Sequence, residues 1–334
     1  MPEPAVARVA MIFTGGTISM EPDEAMGGNR PVLDGAAILA RAPEVAAIAQ
    51  IDPIDWGLVP ASHLRFGQLI EIAQLIAGQL ERQEIDGVVV VQGTDSIEET
   101  AFAFQLLVDP RKPVIVTGAM RDAMSGEYDG PRNLADAVRC AAAPELRGLG
   151  VQVVLDGLVV AATDVVKTHT TALDTFQPRT GAPTGRVLSG SVVLEPGARP
   201  RQPGLGTMPG AAIEDVHLLT VVTGMDGSLV RLLGAQRPAG LVVAATGSGN
   251  TGPDLLQAAQ ELMGAGTVVA LTTRCPTGTV APGYAFPGGG ATWQRAGALL
   301  SVHDGPKTRV AVALGLAAGL DRERLAALLG APAA

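Results

Sequence analysis

The sequence predicts an α/β protein of two domains with mainly parallel sheets, and three observations lead to that reading. The chain has 334 residues, more than one compact core commonly serves. It carries short, continuously apolar, β-branched runs such as GVVVVQ (87–92) and GLVVAATGS (240–248). Strands of a parallel sheet read this way because both of their faces are covered. Amphipathic stretches lie between the runs, as in FGQLIEIAQLIAGQLERQ (66–83), where apolar residues recur three and four positions apart. Alternation of strand and helix is the pattern of parallel α/β sheets.

Taken in order, VARVAMIFT (6–14) is the first strand, followed by GVVVVQ, PVIVTG (113–118) and VQVVLDGLVVAAT (151–163). A helix is expected over IEETAFAFQLLV (97–108). The apolar period lapses in LEPGARPRQPGLGTMPGAAIED (194–215), which carries four prolines and no helical or strand repeat. This places an N-terminal domain at 1–195, a linker at 196–215 and a smaller C-terminal domain at 216–334. The second domain continues with VHLLTVVT (216–223), GLVVAATGS and GTVVALTTR (266–274), and ends in the helical segments TRVAVALGLAAG (308–319) and DRERLAALLG (321–330). Asp321 is the expected N-cap of the last helix, its carboxylate accepting from free first-turn amides.

Composition excludes several function classes. Hydrophobic residues make up 47 %, yet no apolar run approaches the roughly 20 residues of a membrane span. The opening MPEPAVARVAMIF lacks a secretion signal pattern, so a cytoplasmic location is expected. The net charge of −9, without a basic block, argues against nucleic acid or anionic membrane as partners. Cys140 and Cys275 match no metal or redox spacing and read as two buried thiols. The four histidines have no ligand spacing, so a structural or catalytic zinc is not expected.

Ligands of open α/β sheets bind at the carboxyl ends of strands. Four such ends carry polar residues: Thr14 after AMIF, QGTDS (92–96), TGAMRD (117–122) and TDVVKTHTT (163–171). A threonine hydroxyl becomes a useful nucleophile when a base removes its proton. A lysine can be that base where desolvation disfavours its charged form. A second hydroxyl can relay the proton, an aspartate can hold a cationic group, and Gly15 and Gly16 permit backbone amides to face an oxyanion. Each piece also has a plain structural reading. TGGT can be an ordinary turn, Asp95 or Ser96 can be the N-cap of the following helix with Glu98 and Glu99 at its positive end, and Lys167 can be a solvated loop residue.

Together TGGTIS, VVQGTDSIEETAF, KPVIVTGAMRDAMSGEYDGPRNLADAV and DVVKTHTTALDTF resemble the bacterial L-asparaginases of the asparaginase/glutaminase family, and the likeness continues through GSGNTGP and TTRCPTGTV. The resemblance implies a larger flavodoxin-like N-terminal domain, a smaller C-terminal α/β domain, and an amidohydrolase converting L-asparagine to aspartate and ammonia through a threonyl ester. It implies Thr14 as nucleophile, Thr94 and Lys167 as the proton-handling pair, and Asp95 as the group gripping the substrate ammonium. Ser62 matches the binder of the α-carboxylate, His63 falls where a glutamine often sits, and Gly16 joins the substrate-binding set. The Ala119 backbone would receive the amide leaving group, and Asn250 looks like the residue a neighbouring subunit contributes. The assembly implied is a homotetramer built from close dimers, with a small amino acid as the substrate and no cofactor.

Two departures stand out. Gln92 replaces a histidine common in relatives, and the segment SMEPDEAMGGNRPV has no tyrosine where relatives carry an activating one in a mobile lid. The two tyrosines of the chain are Tyr128, at an ordinary loop position, and Tyr284, beside a place where relatives often supply a glutamate. Tyr284 either activates Thr14 or packs on Phe286; lid carboxylates Glu21 and Glu24 are the other candidates. Alternatives to asparagine hydrolysis are another small amide such as glutamine or D-asparagine, and a non-catalytic amino-acid sensor. Discrimination by one methylene is worth only about 1–3 kcal/mol, so the substrate cannot be read from the motifs. A nucleotide-binding protein lacks support, because no phosphate-loop lysine is present.

Overall fold

The computed structural model describes residues 6–23, 27–196, 198 and 204–330, and the chain divides into two compact units, Met1–Gly206 and Thr207–Ala334. In the first unit the strands are β1 (Arg8–Phe13), β2 (Met20–Asp23), β3 (Gly28–Pro31), β4 (Gln50–Asp55), β5 (Gly87–Val91) and β6 (Val114–Thr117). They continue with β7 (Val151–Leu155), β8 (Leu158–Ala161), β9 (Val165–Lys167), β10 (Phe176–Pro178), β11 (Gly185–Leu188) and β12 (Ser191–Leu194). Its helices are α1 (Gly35–Ala40), α2 (Phe66–Glu81), α3 (Ile97–Leu107) and α4 (Gly130–Ala142).

Eight strands form one sheet in the order β12-β11-β8-β7-β6-β5-β1-β4. The pairs from β4 to β7 are parallel, and β7-β8, β8-β11 and β11-β12 are antiparallel. The parallel part therefore runs in the doubly wound order 2-1-3-4-5 when its five strands are counted along the chain. Val9, Met11 and Phe13 of β1 join Val89 and Val91 of β5 in a core capped by Leu134, Val138 and Cys140 of α4. Ala10, Ile12, Val88 and Val90 alternate with them and are just as buried, as a strand covered on both faces requires.

The sequence pattern marks the long apolar strands but not the others. The run 151–163 is two strands, because Asp156 (φ 47°) and Gly157 (φ 73°) make a tight antiparallel turn between β7 and β8. β4 reads QIDPID and tolerates Pro53 because it lies at the sheet edge. Within the predicted linker, residues 197 and 199–203 lie outside the described residues, whereas Leu205 is buried and donates its amide to Leu106 O at 2.8 Å.

The second unit has one parallel sheet in the order β13-β14-β15-β16, formed by Val216–Thr220, Gly240–Ala245, Val268–Thr273 and Leu299–Leu300. Its helices are α5 (Ser228–Gly234), α6 (Pro253–Gly264), α7 (Gly290–Ala296), α8 (Gly305–Ala317) and α9 (Arg322–Leu328). Leu241, Val243 and Leu271 pack with Leu255, Leu262 and Trp293 in its core. Asp321 caps α9 as expected, accepting from the Arg324 amide at 2.9 Å. Among the described residues no helix is long and apolar enough to cross a membrane.

Candidate active site

The order of the parallel strands reverses between β1 and β5, and the crevice outside the carboxyl ends there is where such sheets bind ligands. Thr14 follows β1 and Thr94 follows β5, so the topology sets both hydroxyl residues at that reversal. Thr14 is 1 % exposed. Its amide donates to Val91 O at 2.9 Å and its Oγ1 donates to the same carbonyl at 3.2 Å. The next two residues turn the chain sharply, with φ of 107° at Gly15 and 94° at Gly16. A Cβ on Gly16 would stand 2.1 Å from Gly93 Cα, so only glycine lets these two turns touch.

Lys167 ends β9, and its Nζ donates to Thr94 Oγ1 at 3.0 Å and to Asp95 Oδ1 at 2.9 Å. Its backbone amide is held by Glu98 Oε2 at 2.7 Å, which fixes the strand end against the first turn of α3. The Lys167 side chain is 15 % exposed, whereas that of Asp95 is 72 % exposed. Lys167 is thus no solvated loop residue, and the Asp95 carboxylate is open to an incoming cation. The capping expectation fails in detail. Ser96 holds the N-cap position without a side-chain cap bond and instead donates its hydroxyl to Ala61 O at 3.1 Å. That bond fastens the 61–63 turn, with exposed Ser62 and His63, beside the Thr94 turn.

Ala119 follows β6 and is fully buried. Gln92 is satisfied internally: its Nε2 donates to Gly93 O at 3.2 Å and its Oε1 accepts from Thr100 at 2.9 Å. The segment expected as a flexible lid forms the β2-β3 hairpin. Glu21 in it is paired with Arg41 at 2.6 Å, while Glu24 lies outside the described residues. Tyr128, read from sequence as an ordinary loop residue, donates its hydroxyl to Ile18 O at 3.1 Å. Burial pushes the Tyr128 phenol up to about 12, so at neutral pH it is a donor and not a base.

Asn250 and Tyr284 belong to the second unit. Asn250 closes a tight turn, accepting on its carbonyl from Thr246 Oγ1 at 2.7 Å, and its own Oδ1 is buried without a hydrogen-bond partner among the described residues. Tyr284 is 50 % exposed and makes a tilted ring contact with Phe286, centroids 5.6 Å apart. Of the two cysteines, Cys140 is buried with its thiol pushed up to about 12 by desolvation, but Cys275 is only partly buried, against expectation. Its place after β15, in a loop at the sheet end, explains the difference.

A family model for "Asparaginase, N-terminal" matches residues 8–198, and one for "Glutaminase/Asparaginase C-terminal domain" matches 215–329. The chain is 34 % identical to the "Probable L-asparaginase" of Deinococcus radiodurans over 96 % of either chain. It is 27 % identical to the L-asparaginase of Bacillus licheniformis, covering 93 % of this chain and 95 % of that one. Among solved structures, the "Probable Cytoplasmic L-asparaginase" of Campylobacter jejuni superposes with a TM-score of 0.85 at 25 % identity, covering 98 % of this chain and 100 % of that one. With both halves matched in order, the chain belongs to the asparaginase family.

Proposed function

We propose that the chain hydrolyses the side-chain amide of L-asparagine to aspartate and ammonia, with Thr14 as nucleophile. The observation that carries this reading is the 3.0 Å contact of Lys167 Nζ with Thr94 Oγ1 at the same sheet crevice as Thr14. Thr14 Oγ1 attacks the amide carbon, and amides of the Gly15–Gly16 turn face the oxyanion as it forms. The amide nitrogen leaves as ammonia toward the Ala119 backbone, taking up the proton that Thr14 loses. A water then attacks the threonyl ester; its proton passes through Thr94 and Lys167 and returns to Thr14 as aspartate leaves. Asp95 binds the substrate ammonium with its open carboxylate, and Ser62, His63 and Gly16 border the α-carboxylate.

We assign Asn250 to the site of a neighbouring subunit, making a dimer the smallest active unit, and place the protein in the cytoplasm like the Campylobacter relative. The test is ammonia release by the purified chain from L-asparagine, L-glutamine and D-asparagine. Preference for L-asparagine by tenfold or more in kcat/KM is expected. Binding of aspartate without any ammonia release would make the chain a sensor instead.

A further inference from the structure

Residues 128 and 129 sit where α4 begins, and neither is used in the chemistry above. Asp129 occupies the N-cap position of α4, yet its carboxylate makes no cap bond to its own helix. It turns back along the chain instead. Oδ2 accepts from the Met120 amide at 3.0 Å and Oδ1 from the Arg121 amide at 2.9 Å. Asn133, one turn further on, donates from Nδ2 to Gly118 O at 3.0 Å and to Asp129 Oδ2 at 2.9 Å, and its Oδ1 accepts from the Asp156 amide at 3.0 Å. Ala119 is thereby held from both sides, through the carbonyl before it and the amides after it.

Tyr128 reaches in another direction. Its hydroxyl meets the carbonyl of Ile18, a fully buried residue in the short turn 17–19 that follows the glycine pair. Ser19 in that turn ties itself to Gly16 O twice, by its amide at 2.9 Å and its hydroxyl at 2.7 Å. The path from the phenol to the glycine turn is thus three residues of hydrogen-bonded backbone.

We propose that Tyr128 and Asp129 form a two-pronged positioning element, the phenol setting the exit of the Thr14 turn and the carboxylate setting the Ala119 turn. The functional half of this inference rests on the assignment of Thr14 and Ala119 to the site. Small misplacement of reacting groups costs on the order of 10²-fold in rate, so loss of either prong acts on kcat while substrate binding at Asp95 persists. The test uses Tyr128→Phe and Asp129→Asn in the full chain. Each keeps the shape of the side chain. Tyr128→Phe removes its tether, and Asp129→Asn turns one of its two acceptor oxygens into a donor, breaking one of the two amide bonds. Expected are kcat losses of about tenfold and about 10²-fold respectively, KM changed less than threefold, and melting temperatures within a few degrees of the parent. Amide hydrogen exchange provides the reading that does not depend on catalysis. Tyr128→Phe is expected to speed exchange at residues 18–20 alone, and Asp129→Asn at residues 120–121 alone. Unchanged exchange at those amides overturns the element itself. Changed exchange with parental kcat in an active parent overturns its role in turnover. A parent inactive on L-asparagine, with the expected exchange changes, faults the site assignment and leaves the tethers standing.

Discussion

The Thr14 hydroxyl donates to a backbone carbonyl, so a catalytic role requires it to turn from Val91 O toward a substrate carbon. Thr14→Ala deletes that hydroxyl at a buried position without adding volume. Turnover is expected to vanish while the fold and some aspartate binding persist; near-parental ammonia release would remove Thr14 from the mechanism. Lys167→Met keeps the length of the side chain and discards the amine, and a loss on the order of 10²-fold in kcat is expected. A matching rate and pH profile in that variant would reduce Lys167 to a tether for Asp95. Tyr284 is expected to behave differently. Its ring contact with Phe286 supplies a packing role, so Tyr284→Phe should leave turnover within about twofold; a 10²-fold fall would make the phenol an activator. The positions of Thr14, Thr94 and Asp95 after apolar parallel strands were legible, whereas Lys167 ends the short β9 after the antiparallel β8, a placement the apolar run did not announce. Tyr128 was not legible, because its partner is a carbonyl 110 positions away, and no residue type announces a bond to a backbone carbonyl.

At the scale of elements, legibility followed burial. β1, β5, β6, β14 and β15 are read directly from apolar runs, since strands covered on both faces must be apolar throughout. β4 and the β11-β12 hairpin sit toward the edges of their sheet, where polar and partly exposed residues blur the pattern. The turn inside 151–163 carried a usable signal, an Asp-Gly pair between apolar residues, which the continuous apolar run around it masked. That turn supports a prediction. Gly157 has φ 73°, so Gly157→Ala is expected to cost about 1–2 kcal/mol from backbone strain alone. Denaturant unfolding of the variant measures it, and an unchanged midpoint would show that the hairpin relaxes into another turn.

For the whole molecule, the division into two units was visible as a break in apolar periodicity, whereas assembly was not, because nothing in a single chain's pattern names its neighbours. One atom bears on assembly. Asn250 Oδ1 is buried and has no hydrogen-bond partner among the described residues, although its own backbone is tied to Thr246 on both sides. A buried acceptor left unsatisfied costs about 1–3 kcal/mol, so the side chain is expected to turn outward where a donor from outside the chain is offered. A neighbouring subunit with its bound substrate is such a source, in line with the role assigned to Asn250. Sedimentation at assay concentration is therefore expected to show a dimer or larger species. Asn250→Ala is expected to raise KM or lower kcat by tenfold or more, with the oligomer and the melting temperature retained. A fully active monomer would remove the neighbour from the site, and a variant with parental kinetics would leave Asn250 as a turn residue only.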